Sequence, residues 1–401
     1  MTDLILKKGK ERSLLRRHPW VYDTAVQKLN GKAKSGDTVR VVSHDGRFLA
    51  WAAYSKDSTL RARCWSFDEQ DKIDESWIET KIQKAIKARE PLFARTSAVR
   101  VIFGEADQLP GLVVDRYGQW FVTQFQAAGV EAFRDVIADI LMKVPGIKGV
   151  FDRSDAATRH REGLQERVEL LRGEEPPQEI EVVEDGVRYG VDVRIGHKTG
   201  FYIDQRENRF LAQRLAKEFK QRTGRGMRAL NCFCYTGGFS LALLAGGAEE
   251  VISVDSSAEA LAMAARNAHR NGFDDERAQW VQADVFEYLR KAREAGETFD
   301  LVILDPPKFA SSHRHIERAA RAYKDINLNG LRLVAPGGDL LTFSCSGAMD
   351  VDLFQKVIAG AVIDSKREAW MIARLGAGAD HPLMMTCPEG EYLKGLQLTL
   401  R

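Results

Sequence analysis

The stretch Ala229–Gly247, ALNCFCYTGGFSLALLAGG, decides the fold. It opens as a buried strand, turns through Tyr235, Thr236, Gly237 and Gly238, and continues as an apolar helix. Glycines in such a turn let the backbone approach a ligand and leave helix N-terminal N–H groups pointing at it. The following run, Glu250–Val254, has β character and ends in Asp255. An acid at the tip of the second strand, about twenty residues on, is how a doubly wound α/β fold holds ribose hydroxyls. The turn is not GxGxxG and no Walker A lysine follows, which disfavours a dinucleotide or a nucleoside triphosphate. A nucleoside ligand without a pyrophosphate, S-adenosylmethionine, fits the pattern.

Outward from this stretch, strands and helices alternate from about residue 186. A strand at Val187–Val193 leads to a helix at about Arg206–Phe219, and four β/α units follow with strands near 228, 250, 279 and 299. A strand at Asp339–Ser344, one more helix and terminal strands complete the chain. Such alternation predicts a largely parallel sheet covered on both faces. Upstream, residues 72–95 read as a charged helix. Strands at Ala98–Phe103, Gly111–Asp115 and Trp120–Gln126, a helix at about Val130–Lys143 and a strand at Gly149–Asp152 make a small α+β region. The proline-bearing GEEPPQE, Gly173–Glu179, marks a boundary. Before residue 70 the runs Thr38–Val42, Phe48–Tyr54 and Leu60–Trp65 are β-type, separated by turn signals. The expected organisation is therefore β-rich 1–70, α+β 71–180 and doubly wound α/β 181–401.

At 401 residues, two or three domains are expected, and 44% hydrophobic with 29% charged residues is ordinary for globular protein. No apolar run approaches the roughly eighteen residues of a membrane span, and MTDLILKKGK lacks the apolar core of a secretory signal. Five cysteines, an odd number without framework spacing, suggest reduced thiols in a cytoplasm. Cys232 and Cys234 form C-x-C rather than C-x-x-C, and packing is the default for them and for Cys64 and Cys387.

The net charge of +2 means that any nucleic-acid binding must come from local patches. One candidate is at the start, where Lys7, Lys8, Lys10, Arg12, Arg16 and Arg17 precede Trp20. Cations beside aromatics suit RNA, although a solvated basic face with Trp20 in a core gives the same pattern. Arg153, Arg159, His160 and Arg161 form a second basic group, expected as an exposed loop.

Ligands of a doubly wound sheet sit beyond the carboxyl ends of its strands. Those ends carry Tyr235–Gly238, then Asp255 with Ser256, then Asp284 with Val285, then Asp305-Pro306-Pro307-Lys308, then Ser344-Cys345-Ser346-Gly347. Asp284 is placed to accept from an adenine amino group. Either Asp255 or Asp284 alone is equally a helix cap, and the succession carries more weight than any member. The double proline fixes a rigid turn that would hold the Asp305 carboxylate beside a methyl sulfonium. An aromatic after such a turn would suit methylation of an exocyclic amine, but Lys308 stands there, with Phe309 next.

Cys345 bears on the reaction type. Cytosine C5 is too weak a nucleophile to take a methyl group unaided, whereas a thiolate adding to C6 converts the ring into an enamine. A free thiol has a pKa of about 8.5, so a nearby cation or helix N-terminus should lower it. The plain alternative is a small buried cysteine. Tyr202 and Arg206, in the polar segment before the sheet, join the cofactor set. Lys308, Arg314 and Lys324 are taken as RNA contacts on a basic loop running from His313 to Asp325. His313 and His315 have no ligating set around them, so no metal is expected.

Six motifs then bear on the family: RRHPWV (Arg16–Val21), GHKTGFYIDQR (Gly196–Arg206), LNCFCYTGGFS (Leu230–Ser240), DPPKF (Asp305–Phe309), YKDIN (Tyr323–Asn327) and TFSCSG (Thr342–Gly347). Together they closely resemble the bacterial ribosomal RNA large subunit methyltransferase I family, along the full length. The resemblance implies an N-terminal PUA domain, a small α+β domain and a class I S-adenosylmethionine methyltransferase domain. It implies 5-methylcytosine formation in 23S ribosomal RNA, on the RNA or a large-subunit assembly intermediate, and a homodimer as a candidate assembly. Carried onto this chain, it makes Cys345 the C6 nucleophile, sets Asp305 at the N3 side of the cytosine, and gives Asp255 and Asp284 the ribose and adenine. Other RNA 5-methylcytosine enzymes place a second cysteine where Lys308 stands. Two rivals remain in view: an RNA N-methylase needing no thiol, and a non-catalytic assembly factor that keeps the cofactor pocket.

Overall fold

The run around Ala229 is an interior strand of a seven-stranded sheet in the computed structural model, which describes residues 2–310 and 313–401. The strands are β1 (Arg228–Cys232), β2 (Glu250–Asp255), β3 (Ala278–Gln282), β4 (Phe299–Leu304), β5 (Val334–Ser344), β6 (Ala369–Gly376) and β7 (Lys394–Leu400), in the order β3-β2-β1-β4-β5-β7-β6. The first five run parallel, and β7 pairs antiparallel with both β5 and β6. Six helices accompany them: α1 (Arg206–Thr223), α2 (Gly238–Ala245), α3 (Ala258–Arg270), α4 (Val285–Glu294), α5 (Ile316–Leu333) and α6 (Val351–Ser365). Parallel strands covered on both faces need apolar residues at every position. β4, FDLVIL, is buried throughout, and Leu230, Val302 and Leu340 join Leu289, Ile326 and Phe354 in one core. The strand order reverses direction between β1 and β4, where such folds open a ligand crevice at the carboxyl ends.

The chain divides into two compact units. The second, just described, takes Val183–Gly190, Asp204–Gly378 and Glu391–Arg401. The first takes the residues up to Val182 together with Val191–Ile203 and Ala379–Gly390. It holds a six-stranded sheet built from residues 3–66, whose parallel contact joins Asp3–Leu6 to Thr38–Val42. It also holds a five-stranded sheet ordered Arg167–Gly173, Gly149–Ser154, Trp120–Phe125, Leu112–Tyr117, Ala98–Phe103.

Several expectations change. The supposed basic loop from His313 to Asp325 is mostly helix α5, and Tyr323 within it is fully buried. The second basic group is not an exposed loop throughout. Arg153 and Arg159 are buried, the first on Asp155 at 2.8 Å and the second on Glu131 at 3.0 Å, while His160 and Arg161 stay exposed. These guanidinium groups brace the α+β region from inside because each finds a carboxylate. The helix expected at 130–143 is two, Ala128–Ala132 and Arg134–Met142, parted at Phe133. No helix among the described residues is long and apolar enough to cross a membrane.

Beneath the turn that follows β1, Arg209 of α1 donates to both oxygens of Glu184, at 2.6 and 2.9 Å, with side chains only 3% and 2% exposed. Gly238 lies on this guanidinium arm, and a β-carbon there would meet Arg209 Cδ at 3.0 Å. Removing one partner of such a pair strands the other charge. Arg209→Ala is expected to lower stability by about 3–5 kcal/mol, measured by urea denaturation; a loss under 1 kcal/mol would contradict a buried pair.

Candidate active site

After β1 the backbone turns under constraint. Phe233 (φ 60°), Tyr235 (φ 49°) and Gly237 (φ 82°) all adopt left-handed conformations. Gly237 is required twice over: its φ disfavours any side chain, and a β-carbon would lie 2.8 Å from the Trp280 ring. What holds the turn is Asp255. Its Oδ2 accepts from the Tyr235 N–H and its Oδ1 from the Ser257 N–H, both at 2.9 Å. Thr236 and Gly237 are buried against α3, whose Asn267 donates to the Thr236 carbonyl at 3.4 Å. The α2 N-terminus therefore follows a fixed backbone turn, and the missing β-carbon at Gly237 lets that turn pack directly against Trp280 and Ala264.

The acids divide by duty. Asp255 fixes the turn with two acceptor positions, and a carboxylate offers roughly four, so its role in the turn is compatible with gripping hydroxyls. The cap of α3 is Ser257, which accepts from Ala260 N–H at 3.1 Å. Ser256 beside it is exposed. Asp284 is an exposed N-cap of α4, accepting from Glu287 N–H at 3.0 Å, with buried Val285 after it. Asp305 is half-buried at the end of β4, its N–H directed to the Cys232 carbonyl at 3.5 Å. Pro306 is buried and Lys308 exposed. Phe309 is half-buried. It is wedged among Tyr323 (4.8 Å between centroids), Phe286 (5.9 Å) and Phe233 (6.4 Å).

Cys345 follows β5 and is half-exposed, whereas Cys64, Cys232, Cys234 and Cys387 are buried. Burial pushes the Cys64 thiol up to about 12 and raises Cys232 and Cys234 as well, so those sulfurs stay protonated. Around Cys345 a polar network fixes the backbone. Ser344 Oγ donates to Tyr323 Oη at 2.9 Å, Tyr323 Oη meets Ser346 Oγ at 3.1 Å, and the Ala310 N–H donates to Ser346 Oγ at 3.3 Å. The loops after β4 and β5 are thereby tied together, which brings the Asp305 and Cys345 segments to one edge of the sheet. Lys394, at the start of β7, donates to the carbonyls of Ser346 (2.9 Å) and Met349 (2.6 Å).

Tyr202 and Arg206 fall in different units. Tyr202 belongs to the first unit, where its hydroxyl lies 3.2 Å from His197 Nδ1 and the Lys198 ammonium sits 4.4 Å from its ring centre. Arg206 opens α1 fully buried, with Glu207 Oε1 3.5 Å from its Nε. Lys7, Arg12 and Arg16 are exposed in the first unit, and Arg17 lies over the Phe67 ring at 5.2 Å. Trp20 is half-buried: its Nε1 donates to Glu105 at 2.8 Å, and it lines a cavity of about 120 Å³ with Phe103, Met384 and Cys387. Arg314 is exposed, while Lys324 is half-exposed and pairs with Asp364 of α6 at 2.8 Å.

His18, Cys387 and Glu389 of the first unit bring one donor atom each within 4.8 Å of one another. The Trp20 N–H donates to His18 Nδ1 at 3.2 Å, which assigns the ring proton to Nε2, facing Glu389 at 3.2 Å. That is a satisfied hydrogen bond, and burial, then Glu105 and Glu389, push Cys387 up to about 12. The side chain of His313 lies outside the described residues.

Sequence reasoning passed over Tyr323 as a packing residue and Lys394 altogether. The only signal for Lys394 was a lysine opening the otherwise apolar run that ends at Leu400.

Comparison with known proteins bears on this arrangement. The family model for S-adenosylmethionine-dependent methyltransferases matches residues 121–370, and a PUA-like domain model matches 4–67. The chain is 45% identical to the ribosomal RNA large subunit methyltransferase I of Klebsiella pneumoniae, over 98% of this chain and 96% of that one. It is 46% identical to the protein of that name from Tolumonas auensis, over 98% of each. The solved structure of SMU.776, described as a candidate methyltransferase complexed with SAH, shares the fold at a TM-score of 0.84 and 24% identity over 100% of both chains.

Asp255→Asn presents an amide nitrogen to one of two N–H donors. It is expected to weaken S-adenosylmethionine binding at least about tenfold, or about 1.4 kcal/mol, measured by titration calorimetry. Unchanged affinity would remove Asp255 from the cofactor set.

Proposed function

Because the chain belongs to the S-adenosylmethionine-dependent methyltransferases, within the ribosomal RNA large subunit methyltransferase I family, we propose that it methylates C5 of a cytosine in 23S ribosomal RNA through a transient bond from Cys345 to C6. The observation that carries this reading is the division among the cysteines: four are buried, and the half-exposed one stands at a strand end, on a loop tied to that of Asp305.

The chemistry follows from the base. S-adenosylmethionine, when bound, supplies an electrophilic methyl group on its sulfonium. Tyr235–Gly238, Asp255 and Asp284 are the residues that would hold it, and the left-handed turn fits that task because it sets the α2 N-terminus at the carboxyl end of β1. Cys345 contributes the sulfur lone pair that bonds to C6 and moves the C5–C6 π electrons toward C5. C5 would then take the methyl group, leaving the donor as a neutral thioether; the C5 proton would pass to water, its bonding pair re-forming the C5–C6 double bond as the S–C6 electrons return to sulfur. Asp305 supports the N3 side of the ring. The target base must leave its stack to reach Cys345.

Exposed Lys308 and Arg314 beyond β4 in one unit, and Lys7, Arg12 and Arg16 in the PUA-like region of the other, suit phosphate contacts. Lys308 rather than an aromatic follows the double proline directly, and the half-buried Phe309 packs on three other rings, which favours the C5 reading over an exocyclic-amine methylase.

RNA carrying 5-fluorocytosine is expected to trap a covalent complex that depends on S-adenosylmethionine, survives denaturation on a gel, and disappears in Cys345→Ala. Methyl transfer to ordinary RNA by Cys345→Ala at more than about a hundredth of the wild-type rate, roughly 2.7 kcal/mol of barrier, would sink the covalent route.

A further inference from the structure

Lys394 is paired in register with Ser344, the last residue of β5 and the neighbour of Cys345. Its side chain is buried, and Nζ donates to the Ser346 and Met349 carbonyls at 2.9 and 2.6 Å. The ammonium is therefore fastened to the loop that carries Cys345. The charged and titratable groups that act on it are Glu391, Cys345, Asp350 and Lys308, and Tyr323 of α5 also faces Cys345. Burial pulls Lys394 below the ordinary lysine value, while Glu391, Cys345 and Asp350 pull it back up.

A cysteine nucleophile needs local positive potential, from a cation or a helix N-terminus. The nearest helix in sequence does not supply it. α6 begins only at Val351, and its first turn is capped by the Asp350 carboxylate, which accepts from Leu353 N–H at 2.7 Å. The buried ammonium remains. Shielded from water, its charge acts on a neighbouring sulfur more strongly than a surface lysine would.

We propose that the Lys394 ammonium is the fixed positive charge that holds the Cys345 sulfur as a thiolate. The thiol proton passes to solvent, and the charge left on sulfur is balanced by the ammonium beside it. Lys394 is thus a positioning residue, acting through Cys345. The proposal rests on Cys345 being the nucleophile.

The test is the pH dependence of iodoacetamide alkylation at Cys345, followed by peptide mass spectrometry on the full-length protein. The buried cysteines serve as internal controls. Wild-type protein is expected to titrate below the ordinary thiol value of about 8.5. Lys394→Gln keeps N–H donors for the two carbonyls but removes the charge. It should move the profile up by about one unit or more, slowing alkylation at pH 7 about tenfold, whereas Lys394→Arg should return it toward wild type. A wild-type profile at 8.5 or above overturns the proposal without any variant, so a misfolded Lys394→Gln cannot shelter it. An unshifted profile in folded Lys394→Gln overturns it too. Failure of the nucleophile reading is separate, being read from methyl transfer that persists in Cys345→Ala.

Discussion

The two hydrogen bonds accepted by Asp255 fix the turn after β1 at the carboxyl edge of the large sheet. Left-handed backbone at residues such as Phe233 and Tyr235 costs of order 1–3 kcal/mol each, and persists only where the surroundings over-determine it. Asp255 supplies that determination, because hydrogen bonds to a charged acceptor contribute about 1.5–3 kcal/mol each. One carboxylate thus joins the turn after β1 to the start of α3. The Arg209–Glu184 pair supports the same turn from below at Gly238. A strained turn braced by two acid contacts keeps its shape when empty, so a ligand need not order it on arrival.

The same edge shows how one residue type takes two fates. Cys232 and Cys345 stand at or just past the ends of two parallel strands, β1 and β5, that flank β4. Cys232 is sealed in the core with Leu230 and Val254, and burial holds its proton. Cys345 lies past the last residue of β5, among Ser344, Ser346, Tyr323 and Lys394, where hydroxyl, carbonyl and ammonium groups replace hydrocarbon. A sulfur in the first setting behaves as a small apolar group, and one in the second can hold charge.

Much of this was legible in the chain because local chemistry and tertiary role agree there. The β1 turn, Asp255 and β4 combine an apolar run with an acid or glycine at its end, and such patterns follow from the fold itself. What was lost depended on partners distant in sequence. Lys394 meets Ser346 across 48 positions and Arg209 meets Glu184 across 25, so neither pairing leaves a local trace. The stretch from His313 to Asp325 looked like a basic loop because its charges drew the eye. From Ile316, however, Ala319, Tyr323 and Ile326 recur on one face and are buried, which is helical spacing. Phe309 looked available as an aromatic because nothing in the sequence announces the three rings that enclose it.

The chain has 59 basic and 57 acidic side chains, a near balance that leaves polyanion binding to local patches. Many of those charges never face solvent. Arg89 with Asp107, Arg100 with Asp115, and Arg209 with Glu184 are buried pairs that cancel within the interior. Removing them from the tally leaves the net charge unchanged but makes the distribution of the remainder decisive. Lys7, Lys8, Lys10, Arg12 and Arg16 are exposed within ten residues of one another, with Glu11 the only acid among them. At physiological salt, charges act over about 8 Å, so a phosphate chain responds to this concentration rather than to the molecule's total. Near-neutrality overall and a steep local field are therefore compatible.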